Sequence, residues 1–103
     1  MDDQQALERY RYMLRTAPPD DIERAHEEAF AQLSPDQRAA VLRQLSEEVP
    51  ASEATGDDPK SLARAATRAE IREPGTMERA FGGAGAPGLG SMFLPSLAGA
   101  FVG

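Results

Sequence analysis

Leu33-Ser34-Pro35-Asp36-Gln37 decides how the centre of this chain folds. Ser34 is a preferred residue for capping the start of a helix, and Pro35 suits the first helical position. Gln37 stands three residues after the cap, where its side chain can complete a capping box. The preceding apolar run ends at Leu33, so one helix must stop and the next begin within a few residues. A connection this short predicts an αα-hairpin over residues 20–49.

Apolar residues recur at helical spacing on both sides of this connection. They predict three helices, over residues 3–15, from residue 19, and over residues 35–48. Together these form a three-helix head at residues 1–49, followed by a polar linker at residues 50–58. The residues expected to converge on the core of the head are Leu7, Tyr10, Leu14, Ile22, Phe30, Leu33, Val41, Leu42 and Leu45.

A fourth helix is predicted from Pro59, because Asp58-Pro59 again places proline directly after a capping residue. Pro74-Gly75 ends this helix, and a short turn completes a basic amphipathic segment at residues 59–81. The apolar stripe of the helix is mostly alanine, so it buries little area and we expect weak docking. Its members are Leu62, Ala65, Ala66 and Ala69. The predicted fold class is therefore all-α, a small helical bundle built on the αα-hairpin.

Charge divides the chain into three parts. Residues 1–58 carry 14 acids and 6 bases, residues 59–81 carry 5 bases and 3 acids, and residues 82–103 carry no charge. The net charge of −6 argues against a nucleic acid as partner. The absence of cysteine excludes disulfides and thiolate chemistry. The acidic start at residues 1–5 is unlike a secretory signal, which predicts a cytoplasmic protein, with association at the inner face of the membrane left open.

The basic segment carries a ridge of like charge. Arg64, Arg68 and Arg72 repeat at i, i+4 and i+8, where they repel one another and an anionic neighbour would relieve them. Three interpretations are open: a solvated ridge, an ion-paired ridge, and contact with an anionic lipid surface. For the ion-paired ridge, the expected partners lie on the second helix and are Glu23, Glu27 and Glu28.

The uncharged segment at residues 82–103 begins with glycine and ends with apolar residues, which predicts a flexible Gly-rich apolar tail. Its apolar run is shorter than the roughly 20 residues that a membrane span needs, and Pro95 lies within it. Insertion into a membrane, packing on the helices or on a partner, and disorder all remain open. Its candidate lipid or partner contacts are Met92, Phe93, Leu94, Leu97 and Phe101.

The motifs that would indicate catalysis or metal binding are incomplete. His26 follows Glu23 at the spacing of the Glu-x-x-His pairs in di-iron bundles, but such sites need a second pair and this chain has no second histidine. We therefore expect His26 to be a surface histidine among acids. Gly82-Gly83-Ala84-Gly85 lacks the strand and the Gly-Lys-Ser/Thr of a phosphate loop. No catalytic residue, cofactor, metal or enzymatic activity is predicted.

A likeness covering most of the chain rests on several stretches and on the Gly-rich apolar tail. The stretches are Met1–Arg15, Ala17-Pro18-Pro19-Asp20, Leu33-Ser34-Pro35-Asp36-Gln37-Arg38, Ala66-Thr67-Arg68-Ala69-Glu70 and Pro74-Gly75-Thr76-Met77-Glu78-Arg79. In these stretches the chain resembles an uncharacterised family of small actinobacterial proteins often labelled cation-transporting ATPases. That label implies ion transport, yet the chain contains neither an Asp-Lys-Thr-Gly phosphorylation motif nor a P-loop.

Two classes of function agree with these features. The first is a non-enzymatic helical interaction protein with an unknown protein partner, membrane-proximal through its apolar tail and making peripheral contact with the lipid. The alternative is a soluble accessory or regulatory subunit of a larger system, whose head binds another helical protein.

Overall fold

The computed structural model describes residues 3–82, with the side chains at position 5 and at positions 7–80. Within that range the regular structure is helical throughout, which confirms the predicted all-α class. The helices are α1 (Asp3–Thr16), α2 (Pro19–Ala31), α3 (Pro35–Ser46), α4 (Pro59–Arg72) and α5 (Thr76–Gly82). The segment at residues 83–103, where most of the flexible tail is predicted, lies outside the described residues.

The caps read from the sequence are present and set where the helices start. The Ser34 hydroxyl accepts a hydrogen bond from the backbone N–H of Gln37 at 3.1 Å, and the Gln37 side chain accepts one from the Ser34 N–H at 2.9 Å. This is the predicted capping box. At the start of α4, the Asp58 carboxylate accepts from the Ser61 N–H at 3.1 Å. The helix starts are thus settled by local chemistry.

The fourth helix is where the packing differs most from expectation. Instead of docking weakly, α4 lies at the centre of the bundle and makes its most extensive contact with α2. The buried residues of α4 are Leu62, Ala63, Ala65, Ala66, Thr67, Ala69 and Glu70. The expectation of weak docking considered only the small area of each alanine. Small side chains also let two helix backbones approach closely, so the alanine face of α4 contacts α2 along its length.

The same pairing corrects the predicted hairpin. The connection between α2 and α3 is as short as expected, but α3 makes its closest approaches to α4 and α5 rather than lying along α2. The physical reason lies in the apolar faces. Only Val41 and Leu45 of α3 are fully buried, whereas α2 buries five residues and needs the broad face of α4 to cover them.

One hydrophobic core joins all five helices. Its buried members are Tyr10, Ala29, Phe30, Leu33, Val41, Leu45, Leu62, Ala63, Ala65, Ala66, Met77 and Ala80. Most of the predicted core residues are therefore where the sequence placed them. Leu14 and Leu42 pack against this cluster while partly exposed, Ile22 is buried outside it, and Leu7 is half-buried. The predicted head and the predicted basic helix share this core.

Candidate functional site

The exposed face of α4 is the most distinctive surface of the described chain. Because the opposite face is buried against α2, the residues that point outward are held on a rigid helix at the centre of the fold. We call this surface the α4 stripe. It consists of Lys60, Arg64, Arg68, Ile71 and Arg72, all of them exposed. It combines four cations with an isoleucine that is 53% exposed, in a chain whose net charge is −6.

Arg72, at the end of the α4 stripe, is held by an acid from the loop before α4. Its two terminal guanidinium nitrogens donate to the two carboxylate oxygens of Glu53, each at 3.1 Å. The hydrogen bond to Arg72 holds the pKa of Glu53 below its ordinary value, and the charge of Arg68 acts in the same direction. The same hydrogen bond raises the pKa of Arg72. Arg72 is thus already paired.

The ion pair of Arg72 with Glu53 shows that the predicted partner of the arginine ridge was wrong. The acid that meets the ridge is Glu53, from the segment predicted as a linker, and not the group on α2, which comprises Glu23, Glu27 and Glu28. Close packing of α2 on the buried face of α4 leaves the α4 stripe on the far side. Among the described side chains no ion pair joins Arg64 or Arg68 to an acid. The remaining candidate contacts (Met92, Phe93, Leu94, Leu97 and Phe101) lie outside the described residues.

His26 corrects a second expectation, because it is fully buried instead of lying at the surface. Its Nε2 is 2.8 Å from the hydroxyl of Tyr10 on α1, and its Nδ1 is 2.9 Å from Oγ1 of Thr67 on α4. A neutral imidazole has one donating and one accepting nitrogen, so it can join these two hydroxyls in either tautomer. Burial lowers the pKa of His26 from 6.5 to about 3. His26 is therefore a neutral bridge between three helices.

Helical spacing in the sequence contained the signal for this burial. His26 lies four residues after Ile22 and four before Phe30, so all three share the inward face of α2. The imidazole stacks against the Phe30 ring, with the ring centroids 6.1 Å apart and the planes inclined by 18°. The neighbouring acids suggested an exposed position, but adjacent residues on a helix point in different directions. Spacing was the better guide.

Glu70 is a second buried ionisable residue, and its carboxylate caps the start of α5. Its carboxylate accepts from the backbone N–H groups of Gly75 at 2.6 Å and of Met77 at 3.0 Å. Gly75 has a φ of +95°, a conformation that suits glycine and turns the chain from α4 into α5. Arg11 on α1 then fixes α5 through a bidentate ion pair with Glu78, at 2.6 and 3.0 Å. Glu70 and Glu78 therefore both fix the position of α5 in the bundle.

We expect Glu70→Gln to lower the free energy of unfolding by about 1–3 kcal/mol. The amide keeps the shape of the carboxylate but has only one acceptor oxygen. Its NH2 group would face one of the two backbone N–H groups, so one of the two hydrogen bonds is lost. Denaturant unfolding measures the loss, and amide exchange should quicken at Gly75 and Met77 before it does at Leu62. Glu28→Gln, on the exposed face of α2, is the matched control. Equal stability of the two variants would contradict the capping role.

A groove of about 700 Å³ runs along the outer face of α1. Its lining residues are Gln5, Glu8, Arg9, Tyr12, Met13, Thr16 and Ala17. Tyr12 is 60% exposed, and the guanidinium of Arg15 lies 6.0 Å from the centroid of its ring. The described part of the lining comes from α1 and the residue after it, and these described residues bring together no set of groups for acid–base or nucleophilic chemistry.

Two further observations concern metals and membranes. Among the described residues, no three His, Cys, Asp or Glu side chains are grouped so that they could hold a metal ion. None of the helices within residues 3–82 combines the length and the apolar character required to cross a bilayer.

No protein-family model, curated protein or solved structure matches this chain.

Proposed function

We propose that this protein is a non-enzymatic helical interaction protein that meets an anionic membrane surface through the α4 stripe. The observation that carries the proposal is the pair Arg64 and Arg68, two cations with no ion-pair partner among the described side chains. They project from the best-packed helix of an otherwise acidic chain. The groups that could do chemistry, His26 and Glu70, are buried and committed to hydrogen bonds within the fold.

The geometry of the α4 stripe supports a flat, anionic partner. Arg64 and Arg68 are one helical turn apart, so they can reach neighbouring headgroups of one surface at the same time. A Lys or Arg close to an anionic bilayer contributes about 1 kcal/mol of binding free energy. Exposed Ile71 lies on the same face and adds apolar area that a membrane interface can accept. The uncharged segment at residues 82–103 would supply further apolar contact.

Replacing Arg64 and Arg68 together by glutamine should weaken binding to anionic vesicles by about 2 kcal/mol, or roughly thirtyfold. Co-sedimentation with phosphatidylcholine vesicles, with and without phosphatidylglycerol, measures this change. The matched control is Arg24→Gln/Arg43→Gln, which removes the same charge from exposed positions on α2 and α3. Added salt should weaken binding of the parent protein more than binding of the Arg64→Gln/Arg68→Gln variant, which retains Lys60 and Arg72.

Equal losses in the two double variants would show a response to net charge alone and would contradict the role of the α4 stripe. If binding of the parent protein to vesicles does not increase when phosphatidylglycerol is included, the membrane proposal is overturned. The alternative function, a soluble accessory or regulatory subunit that meets an acidic protein surface, would then take its place.

A further inference from the structure

The contact between Arg72 and Glu53 has the geometry of anion recognition. Two parallel N–H···O bonds join a planar guanidinium to two oxygens of one acid, at 3.1 Å each. Arginine makes the same fork to the oxygens of a phosphate group. The position next to Arg72 that a lipid phosphate would take is therefore filled by a carboxylate of the same chain.

The residue that fills this position belongs to a loop and not to the helical scaffold. Glu53 follows a tight turn in which its own N–H donates to the carbonyl oxygen of Pro50 at 2.9 Å. Towards α4, the loop is fixed by Arg38, whose Nε donates to the Asp57 carbonyl oxygen at 3.1 Å. The two residues before Glu53, Ala51 and Ser52, are exposed, and Ala54 after it is half-buried. A modest change in the conformation of this loop would therefore move the Glu53 carboxylate away from Arg72.

We infer that Glu53 is an internal competitor of the lipid phosphate, which keeps the Arg72 guanidinium from binding a headgroup until the carboxylate is displaced. This inference rests on the proposed membrane contact and describes how that contact is regulated. In solution, the stripe presents Arg64 and Arg68 while Arg72 is neutralised. At an anionic surface, exchange of Glu53 for a headgroup phosphate adds a third arginine. Displacement is feasible because the Arg72 side chain is 50% exposed and can be reached by a headgroup, while the Glu53 side chain retains 18% exposure.

The test is a double-mutant cycle in the full chain, measured on phosphatidylcholine vesicles that contain phosphatidylglycerol. Glu53→Gln should strengthen vesicle binding by about fivefold beyond the control, the effect of one additional arginine at the surface. The control is Glu48→Gln, which removes an exposed acid from the start of the same loop and leaves Arg72 paired. Arg72→Gln alone should change binding little, because in the parent protein the headgroup contact of Arg72 is offset by the loss of its pair with Glu53. In the Arg72→Gln background, Glu53→Gln should lose its advantage over Glu48→Gln.

A second experiment with inorganic phosphate distinguishes a lipid headgroup from a soluble anion as the ligand. Added at the ionic strength of a chloride control, it should release the parent protein from vesicles no better than chloride does. Stronger release by phosphate would mean that a soluble anion occupies the site and would overturn the lipid assignment.

The remaining outcomes separate the two proposals. If binding depends on Arg64 and Arg68 but Glu53→Gln behaves as Glu48→Gln does, the internal competitor is refuted while the proposed function stands. If neither the parent protein nor Glu53→Gln binds anionic vesicles, the proposed function fails and this inference fails with it.

Discussion

Replacing Phe30 by alanine should lower the free energy of unfolding by about 3–5 kcal/mol, the usual range for truncating a buried phenylalanine. The Phe30 side chain is fully buried, in the core cluster and beside the imidazole of His26. Its removal leaves a cavity beside the contact of α2 with α4, where the alanines of α4 are too short to fill the space. A domain of this size has only about 5–15 kcal/mol of stability in total.

Urea unfolding followed by circular dichroism measures the effect. Tyr12→Ala provides the matched control, because it also removes an aromatic ring, from a position that is 60% exposed. The control should stay within about 0.5 kcal/mol of the parent protein. A Phe30→Ala variant that unfolds at the same urea concentration as the control would contradict the assignment of the core.

Mild acid should destabilise the protein through His26. The pKa of this residue is lowered to about 3 by burial, whereas in the unfolded chain it titrates near 6.5. Between these values the unfolded state binds a proton that the folded state does not, so stability falls as the pH decreases below 6.5. From about pH 7 to pH 5 the expected loss is about 2 kcal/mol. Stability at neutral pH is unaffected, because His26 is uncharged there in both states.

This pH interval isolates His26, since it is the single histidine of the chain. Glu53, Asp58 and Glu78 also have a lowered pKa, but their contribution is lost only as the pH falls through the acid range below their ordinary values. The measurement is the free energy of unfolding in urea at several pH values. His26→Gln should flatten the dependence between about pH 7 and pH 5, whatever its absolute stability.

A direct reading of protonation complements the unfolding data. The ring proton shifts of His26 in the folded protein should stay constant down to about pH 5, because the imidazole does not take up a proton in this range. A midpoint near pH 6.5 in these shifts would show that His26 is solvated, and the buried bridge would be refuted.

Local chemistry explains which parts of the fold can be predicted from the sequence. The starts of α3 and α4 depend on Ser34 with Gln37 and on Asp58 with Ser61, and each of these pairs lies within four residues. The inward faces follow from spacing along one helix, which is why Tyr10, Phe30 and Leu45 are correctly assigned to the core. Such features require no knowledge of what lies across the bundle.

The pairing of helices could not be predicted in the same way. Whether α2 packs against α3 or against α4 depends on how closely the two helix backbones can approach. The buried area of an alanine side chain does not predict that distance. The same limit applies to the candidate site. The sequence correctly singles out Arg64, Arg68 and Arg72 as one ridge, but the pairing of Arg72 with Glu53 joins residues 19 positions apart across a turn.

The pairing of α2 with α4 also determines the order in which the protein can become stable. α3 and the connections on either side of it separate these helices along the chain, so the part of the α2 face that α4 covers stays exposed in any chain that ends before residue 59. During synthesis, the first three helices can form locally, yet their apolar surface has no cover until α4 emerges. Five of the seven largest fully buried side chains thus lie in the amino-terminal half, yet they are enclosed only when the alanine face of α4 is available.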